Sequence, residues 1–245
     1  MNNIFGVMLF GDAGNDTLLG SASGDIIRGG SGDDTIILSA GGDALFGETG
    51  NDTFIFGDPG LLGRDGVSFS GGDGTDTLIL GTETSGTGLN FNLAQASVAS
   101  IEVLTVVPSS TSIQGFSSTF SALSTINTTG TGSSITSFDD NLNLAAVNIG
   151  SGISTLNATG SLGVRIFDGT DDGGRTINGS SFGDTLSGAG GADTFNIGGG
   201  SDTVTGGTGD DRINITSNAD LEIADQNSFS GGDGTDTVRV TSSSV

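Results

Sequence analysis

The sequence predicts an all-β solenoid, and three observations predict it. Glycine supplies 46 of 245 residues and Asp outnumbers Glu by 25 to 4. Both preferences favour turns, because glycine is costly inside helices and Asp bonds its own local backbone. Apolar residues and aspartates recur together every nine residues over long stretches. Finally, the chain carries a duplicated cassette: GGDGTDTLI at 71–79 returns as GGDGTDTVR at 231–239, each time directly after Ser-Phe-Ser.

The first block opens at Gly11 and runs without a gap to Ile55 as GDAGNDTLL, GSASGDIIR, GGSGDDTII, LSAGGDALF and GETGNDTFI. The sixth residue of each unit is Asp16, Asp25, Asp34, Asp43 and Asp52, and the eighth is Leu18, Ile27, Ile36, Leu45 and Phe54. The second block, from Gly179 to Asn214, reads GSSFGDTLS, GAGGADTFN, IGGGSDTVT and GGTGDDRIN. Its sixth residues are Asp184, Asp193, Asp202 and Asp211, and its eighth are Leu186, Phe195, Val204 and Ile213. Each block then leaves the nine-residue phase before closing on the GGDGTDT unit, which adds Asp76 and Asp236. The Phe in front of each closing unit is expected to cap a coil.

Between the blocks the composition changes. From 80 to 167 the acids are Glu83, Glu102, Asp139 and Asp140, and Ser, Thr and Asn dominate. Leu89-Asn-Phe91-Asn-Leu93 and Ile101-Glu-Val103-Leu104-Thr-Val106-Val107 read as strands. Ile126, Ile135, Leu144, Ile153 and Leu162 fall nine apart, which suggests that the solenoid continues without its acids. The expected organisation is a first roll over 1–79, an acid-poor Ser/Thr-rich solenoid over 80–169 and a second roll over 170–245.

Each nine-residue unit has the chemistry of a turn followed by a strand. Gly at positions one, two and four permits tight turning and close approach of carbonyls, and the residues from position seven form a short strand with one inward apolar side chain. Two units complete one flattened coil, so turns on the same edge lie 18 residues apart and stack at about 4.8 Å. This pairs Asp16 with Asp34 and Asp34 with Asp52 on one edge, Asp25 with Asp43 on the other, Asp184 with Asp202, and Asp193 with Asp211. Two carboxylates at 4 Å repel by roughly 4 kcal/mol even at an effective dielectric near 20. A hard divalent cation reverses the sign. Calcium accepts six to eight oxygens, whereas magnesium demands a strict octahedron and keeps its waters. The chain has no His and no Cys, so oxygen is the ligand on offer.

These units resemble the G-G-x-G-x-D-x-U-x nonapeptide of the RTX (repeats-in-toxin) family, which binds calcium in a parallel β-roll. GGSGDDTII and GGTGDDRIN match at every defined position. Leu38 and Ile197 stand where the first Gly belongs and Ser23 replaces the fourth, so sites at those turns are expected to be weak. The resemblance implies a parallel β-roll or β-helix solenoid with calcium-binding glycine-rich turns. It implies as ligands of several Ca²⁺ ions Asp16, Asp25, Asp34, Asp43, Asp52, Asp76, Asp184, Asp193, Asp202, Asp211 and Asp236, with Gly11, Gly29, Gly47, Gly71, Gly188, Gly206 and Gly231. It also implies type I secretion without a cleaved N-terminal signal, and folding on meeting external calcium. The middle segment, with Ile101-Glu-Val-Leu-Thr, is similar to repeats of RTX-type bacterial surface-layer proteins.

Composition excludes several functions. Without His, Cys or Lys the chain can write no Ser-His-Asp triad, thiolate or imidazole metal site, HExxH zinc site or Schiff base. Gly179-Ser-Ser181-Phe-Gly183 fits G-x-S-x-G but sits in repeat phase ahead of Asp184 with no base available. The pairs Asp139-Asp140 and Asp171-Asp172 are neighbours whose side chains are expected to point apart, unlike a glycosidase pair. A net charge of -23 disfavours nucleic acid and anionic membranes, and no apolar run approaches the length of a spanning helix. The expected protein is therefore not an enzyme. It is a calcium-binding, secreted structural protein of the bacterial cell surface, associating with itself into an array or filament, with a surface glycan or lipopolysaccharide as candidate anchor. The alternative is a calcium-responsive module of a larger secreted adhesin, toxin or exoenzyme.

Overall fold

The computed structural model describes residues 5–38, 40–61, 66–82, 85–159, 161–170, 173–216 and 226–241. The chain divides into two compact units, 1–115 with 122–130 and 116–121 with 131–245. In both, every described strand pair is parallel, as a solenoid requires when each turn of chain lies on the last.

In the first unit one sheet takes Met8–Ala13, Ile26–Ser31, Ala44–Thr49, Ser68–Asp73 and Ser97–Ala99 in that spatial order. The other takes Thr17–Leu19, Thr35–Ile37, Thr53–Phe56, Thr77–Leu80, Val103–Val106 and Thr125–Thr128. Each coil gives one strand to each sheet. The register is 18 residues at Leu9↔Ile27↔Leu45 and at Leu18↔Ile36↔Phe54. It widens to 24 at Leu45↔Phe69 and Phe54↔Leu78, where a loop containing the 3-10 turn Pro59–Leu61 enlarges the coil.

The core centres on eighth-position side chains, joined by Phe56 and Leu80 two residues further along their strands. Ile27, Leu45 and Phe69 from one sheet meet Ile36, Phe54 and Leu78 from the other, all at most 1% exposed. Phe69 is thus no cap: it stands in register with Leu45 and packs edge-to-face on Phe54 (5.9 Å) and Phe56 (6.5 Å). The strand Ser68–Asp73 carries the same alternation as a repeat strand, which is why Ser-Phe-Ser joins the sheet rather than closing it.

The second unit repeats the plan with Ser133–Ser137, Ile153–Ala158, Thr176–Asn178, Thr194–Ile197, Arg212–Ile215 and Thr237–Val240 in one sheet. Its partner sheet holds Asn141–Asn143, Arg165–Phe167, Thr185–Ser187, Thr203–Thr208 and Ser228–Asp233. The 18-residue register holds at Ile177↔Phe195↔Ile213 and Leu186↔Val204. On the outer face Asn214, Asn196 and Asn178 each donate a side-chain amide to the Asn one coil earlier, at 2.9, 2.7 and 2.7 Å, ending on Asn157.

The acid-poor segment does continue the solenoid, but not at nine residues. Ile126, Ile135, Leu144 and Ile153 are buried, whereas Leu162 is 65% exposed. Ile135 pairs with Leu156, 21 residues on, and Leu142 with Ile166, 24 on. Without a Gly/Asp turn of set length the coil is free to vary, while strand pairing keeps each apolar side chain inward.

Because the core is one side chain deep, a truncation there has little to collapse onto. Phe54→Ala is expected to cost about 3–5 kcal/mol in chemical denaturation, against less than about 0.5 kcal/mol for Leu19→Ala at the exposed outer face.

Candidate metal centre

The turns converge on two kinds of oxygen. On one edge of the first unit, the amide of each sixth residue donates to the carboxylate one coil further on: Asp16 to Asp34 Oδ1 (2.7 Å), Asp34 to Asp52 (2.8 Å) and Asp52 to Asp76 (2.8 Å). On the other edge Asp25 donates to Asp43 at 2.8 Å. The second unit does the same from Asp184 to Asp202 (2.8 Å), and from Asp193 through Asp211 (2.8 Å) to Asp236 (3.0 Å). The pairings expected from 18-residue coils are therefore present.

Alongside each carboxylate column runs a column of carbonyls. A Cβ on Gly47 would overlap both Oδ2 of Asp52, in its own turn, and the carbonyl oxygen of Gly71 in the next coil. The same two neighbours confine Gly11 and Gly29 beside Asp16 and Asp34, and Gly188 and Gly206 beside Asp193 and Asp211. Gly71 lies against Asp76, and Gly231 against Asp236. Position one is glycine because carboxylate and carbonyl already fill the space a side chain would need. Position four is glycine for a different reason, a left-handed backbone, as at Gly32 with φ +122°.

The sixth-position acids sit deep. Asp25, Asp34, Asp43 and Asp52 are 1% exposed and Asp76 is fully buried; Asp184, Asp193, Asp202 and Asp211 are at most 2% exposed, while Asp236 lies at the surface. The bonds between coils use Oδ1. The Oδ2 atoms of Asp16, Asp34, Asp43, Asp52, Asp76, Asp193 and Asp211 are buried with no donor. Burial is the main force on these acids. It pushes the Asp52 carboxyl up to about 6, with the charges of Asp76, Asp34 and Asp33 adding to the rise against the Asp34 amide bond. It pushes Asp193 up to about 8 against the Arg175 amide bond, with Asp168 and Asp211 adding. Asp43, Asp76 and Asp211 are raised for the same primary reason.

Buried carboxylate oxygens without a donor, beside stacked carbonyls, suit a hard cation that takes many oxygens. Among the described residues no three acidic side chains converge, so any ion at these turns must draw on the carbonyls as well. The residues fit calcium, and the resident ion would supply the positive charge that the columns lack.

Sequence reasoning missed Glu102, Asn227 and Arg175 in the columns. Glu102 accepts the Asp76 amide at Oε2 (2.9 Å), and Asn227 accepts the Asp202 amide at 2.6 Å. Both lie beyond enlarged coils, out of nine-residue phase. Arg175, whose amide donates to Asp193 Oδ1 at 2.7 Å, lies 18 residues before Asp193. The match of Arg-Thr-Ile-Asn at 175–178 to Asp-Thr-Phe-Asn at 193–196 was its visible signal. The G-x-S-x-G segment forms a turn in which the Ser180 hydroxyl donates to Asp184. Asp139 receives the Ser117 amide at 2.8 Å, and Asp171-Asp172 lie outside the described residues.

Two outcomes follow from this geometry. Gly47→Ala is expected to cost about 1–3 kcal/mol through overpacking, read by denaturation in calcium. The second concerns pH in a chelator. A carboxyl raised on folding stabilises the fold below its unfolded value and loses that contribution as pH rises through the folded value. With Asp52 at about 6 and Asp193 at about 8, the ion-free chain should show more β-structure by circular dichroism near pH 5 than above pH 8. The opposite trend would contradict the origin given for these shifts.

A comparison with curated proteins returns no match. A family model, the RTX calcium-binding nonapeptide repeat, matches in four copies at residues 10–45, 19–54, 170–204 and 196–214. These ranges cover the turns of Asp16, Asp25, Asp34, Asp43 and Asp52 and of Asp184, Asp193, Asp202 and Asp211, and over them the chain carries RTX calcium-binding nonapeptide repeats.

Proposed function

We propose that this chain is a calcium-folded structural protein of the bacterial cell surface, ordered by calcium outside the cell and assembling with further copies into an array or filament. The observation that supports it is the file of buried Oδ2 atoms without a donor. Folding without an ion places those carboxylates in a low-dielectric column of like charges, and a divalent cation turns that cost into attraction. The ion would be held by the sixth-position aspartates, with the carbonyls of Gly11, Gly29, Gly47, Gly71, Gly188, Gly206 and Gly231. These groups come together only when coils stack, so binding free energy becomes folding free energy.

RTX repeats are typical of extracellular proteins, and no helix among the described residues is long and apolar enough to cross a membrane. Export by a type I system follows the same family pattern. The calcium-responsive module of a larger secreted adhesin, toxin or exoenzyme is the second reading. It rests on the same columns, which by themselves form a calcium-binding scaffold and not a catalytic centre.

A calcium titration followed by circular dichroism, small-angle scattering and electron microscopy tests both parts. Compaction and gain of β-structure at millimolar calcium, followed by sheets or filaments, is the expected result. A chelator that leaves the spectrum unchanged would overturn the calcium reading. Folding without any growth in particle size would remove the assembly role and leave the module.

A further inference from the structure

The sixth-position acids are not equivalent. Asp25 and Asp184 lack the donor-free Oδ2 of their neighbours. In each, Oδ2 accepts the amide of the serine four residues back, Ser21 at 2.5 Å and Ser180 at 2.7 Å. Oδ1 accepts that serine's hydroxyl, at 2.9 and 2.8 Å, and an amide from the preceding coil, Val7 or Val164, both at 2.7 Å. The backbone differs too. Position two is left-handed at Asp12 (φ 68°), Gly30 (116°), Glu48 (79°), Ala189 (64°) and Gly207 (119°), but not at Ser21, Ser180 or Gly198. At Ser21 and Ser180 the position-two amide and hydroxyl both close onto the turn's own aspartate.

Arg175 is the second departure. It occupies the sixth position one coil before Asp193, where its amide keeps the column bond. Its guanidinium donates to Asp168 Oδ2 (2.9 Å) and to the carbonyls of Gly173 (2.8 Å) and Ile149 (3.2 Å), with both charged side chains at most 1% exposed. A carboxylate with backbone carbonyls is the donor set a hard cation takes. Arg175 and Ser180 belong to one coil, so both of its turns are satisfied by groups covalently part of the chain.

We infer that Arg175 and Ser180 determine which turns take calcium, making the coil from Arg175 to Ser187 a calcium-independent base on which the calcium-binding coils of Asp193 and Asp211 stack. Arg175 acts as a built-in cation at the end of the column, and Ser180 withdraws Asp184 from metal binding, as Ser21 withdraws Asp25. This rests on the calcium reading above and specifies where it stops.

Hydrogen exchange of the full chain, in chelator and in calcium, tests it. Amides of Arg165–Phe167, Thr176–Asn178 and Thr185–Ser187 should be protected in chelator to within about threefold of their protection in calcium, whereas Arg212–Ile215 should gain about 100-fold or more. Equal loss of protection in both groups on chelation overturns the inference while leaving calcium binding intact. No response to calcium anywhere overturns the calcium reading, and this assignment with it. The Arg175→Asp variant separates a cation role from mere packing. It should lose about tenfold or more of the protection in chelator at Thr176–Asn178 and recover it in calcium, because an aspartate returns the turn to the metal-binding type. A variant as protected in chelator as the native chain, or one that calcium fails to restore, overturns the role of Arg175.

Discussion

In each roll the amide of a sixth-position residue donates to a side-chain oxygen one coil further on, in nearly every case a carboxylate, and this contact recurs from coil to coil through the calcium-type turns. It joins residues 18 apart in the regular coils, and 24 to 26 apart where a loop enlarges the coil. It satisfies one backbone donor and one carboxylate oxygen at each step, deep inside the turn. It also forces like charges into a file. The architecture therefore carries an electrostatic cost that grows with its length, and a bound cation would lower it.

The thin core makes that balance sensitive. Most strands contribute one or two inward apolar side chains, and the enlarged coils are filled by aromatic contacts such as Phe56 with Phe91, 5.6 Å apart. Position-one glycines allow carbonyls and carboxylates to approach more closely than any side chain would permit, as at Gly47 against Asp52 and Gly71. The tightness that excludes a methyl group is the same tightness that gathers oxygens for an ion. Packing and the oxygens suited to a metal are thus built from the same atoms.

Local chemistry decides where this dependence begins. Ser180 and Arg175 satisfy their turns with a hydroxyl, an amide and a guanidinium, whereas the turns of Asp193 and Asp211 leave an oxygen without a donor. Two residues thus separate a coil that carries its own counter-charge from coils that wait for one. The preceding acid-poor coils, paired at 21 residues through Leu156↔Ile177, have no such columns to neutralise.

The amino-acid sequence by itself determined the solenoid, its 18-residue coils and the pairing of Asp16, Asp34 and Asp52, because a strict period in glycine, aspartate and apolar residues admits few other arrangements. It also pointed to an oxygen-seeking cation. Only the tertiary structure placed Glu102 and Asn227 at the ends of columns, since enlarged coils move them out of phase while strand register brings them back. Only it moved Phe69 into the core and released Leu162 to solvent. Only it separated Asp25 and Asp184 from the other aspartates. Period records where an aspartate stands along the chain, but which oxygen a donor reaches depends on the backbone path of the turn and on the coil packed against it.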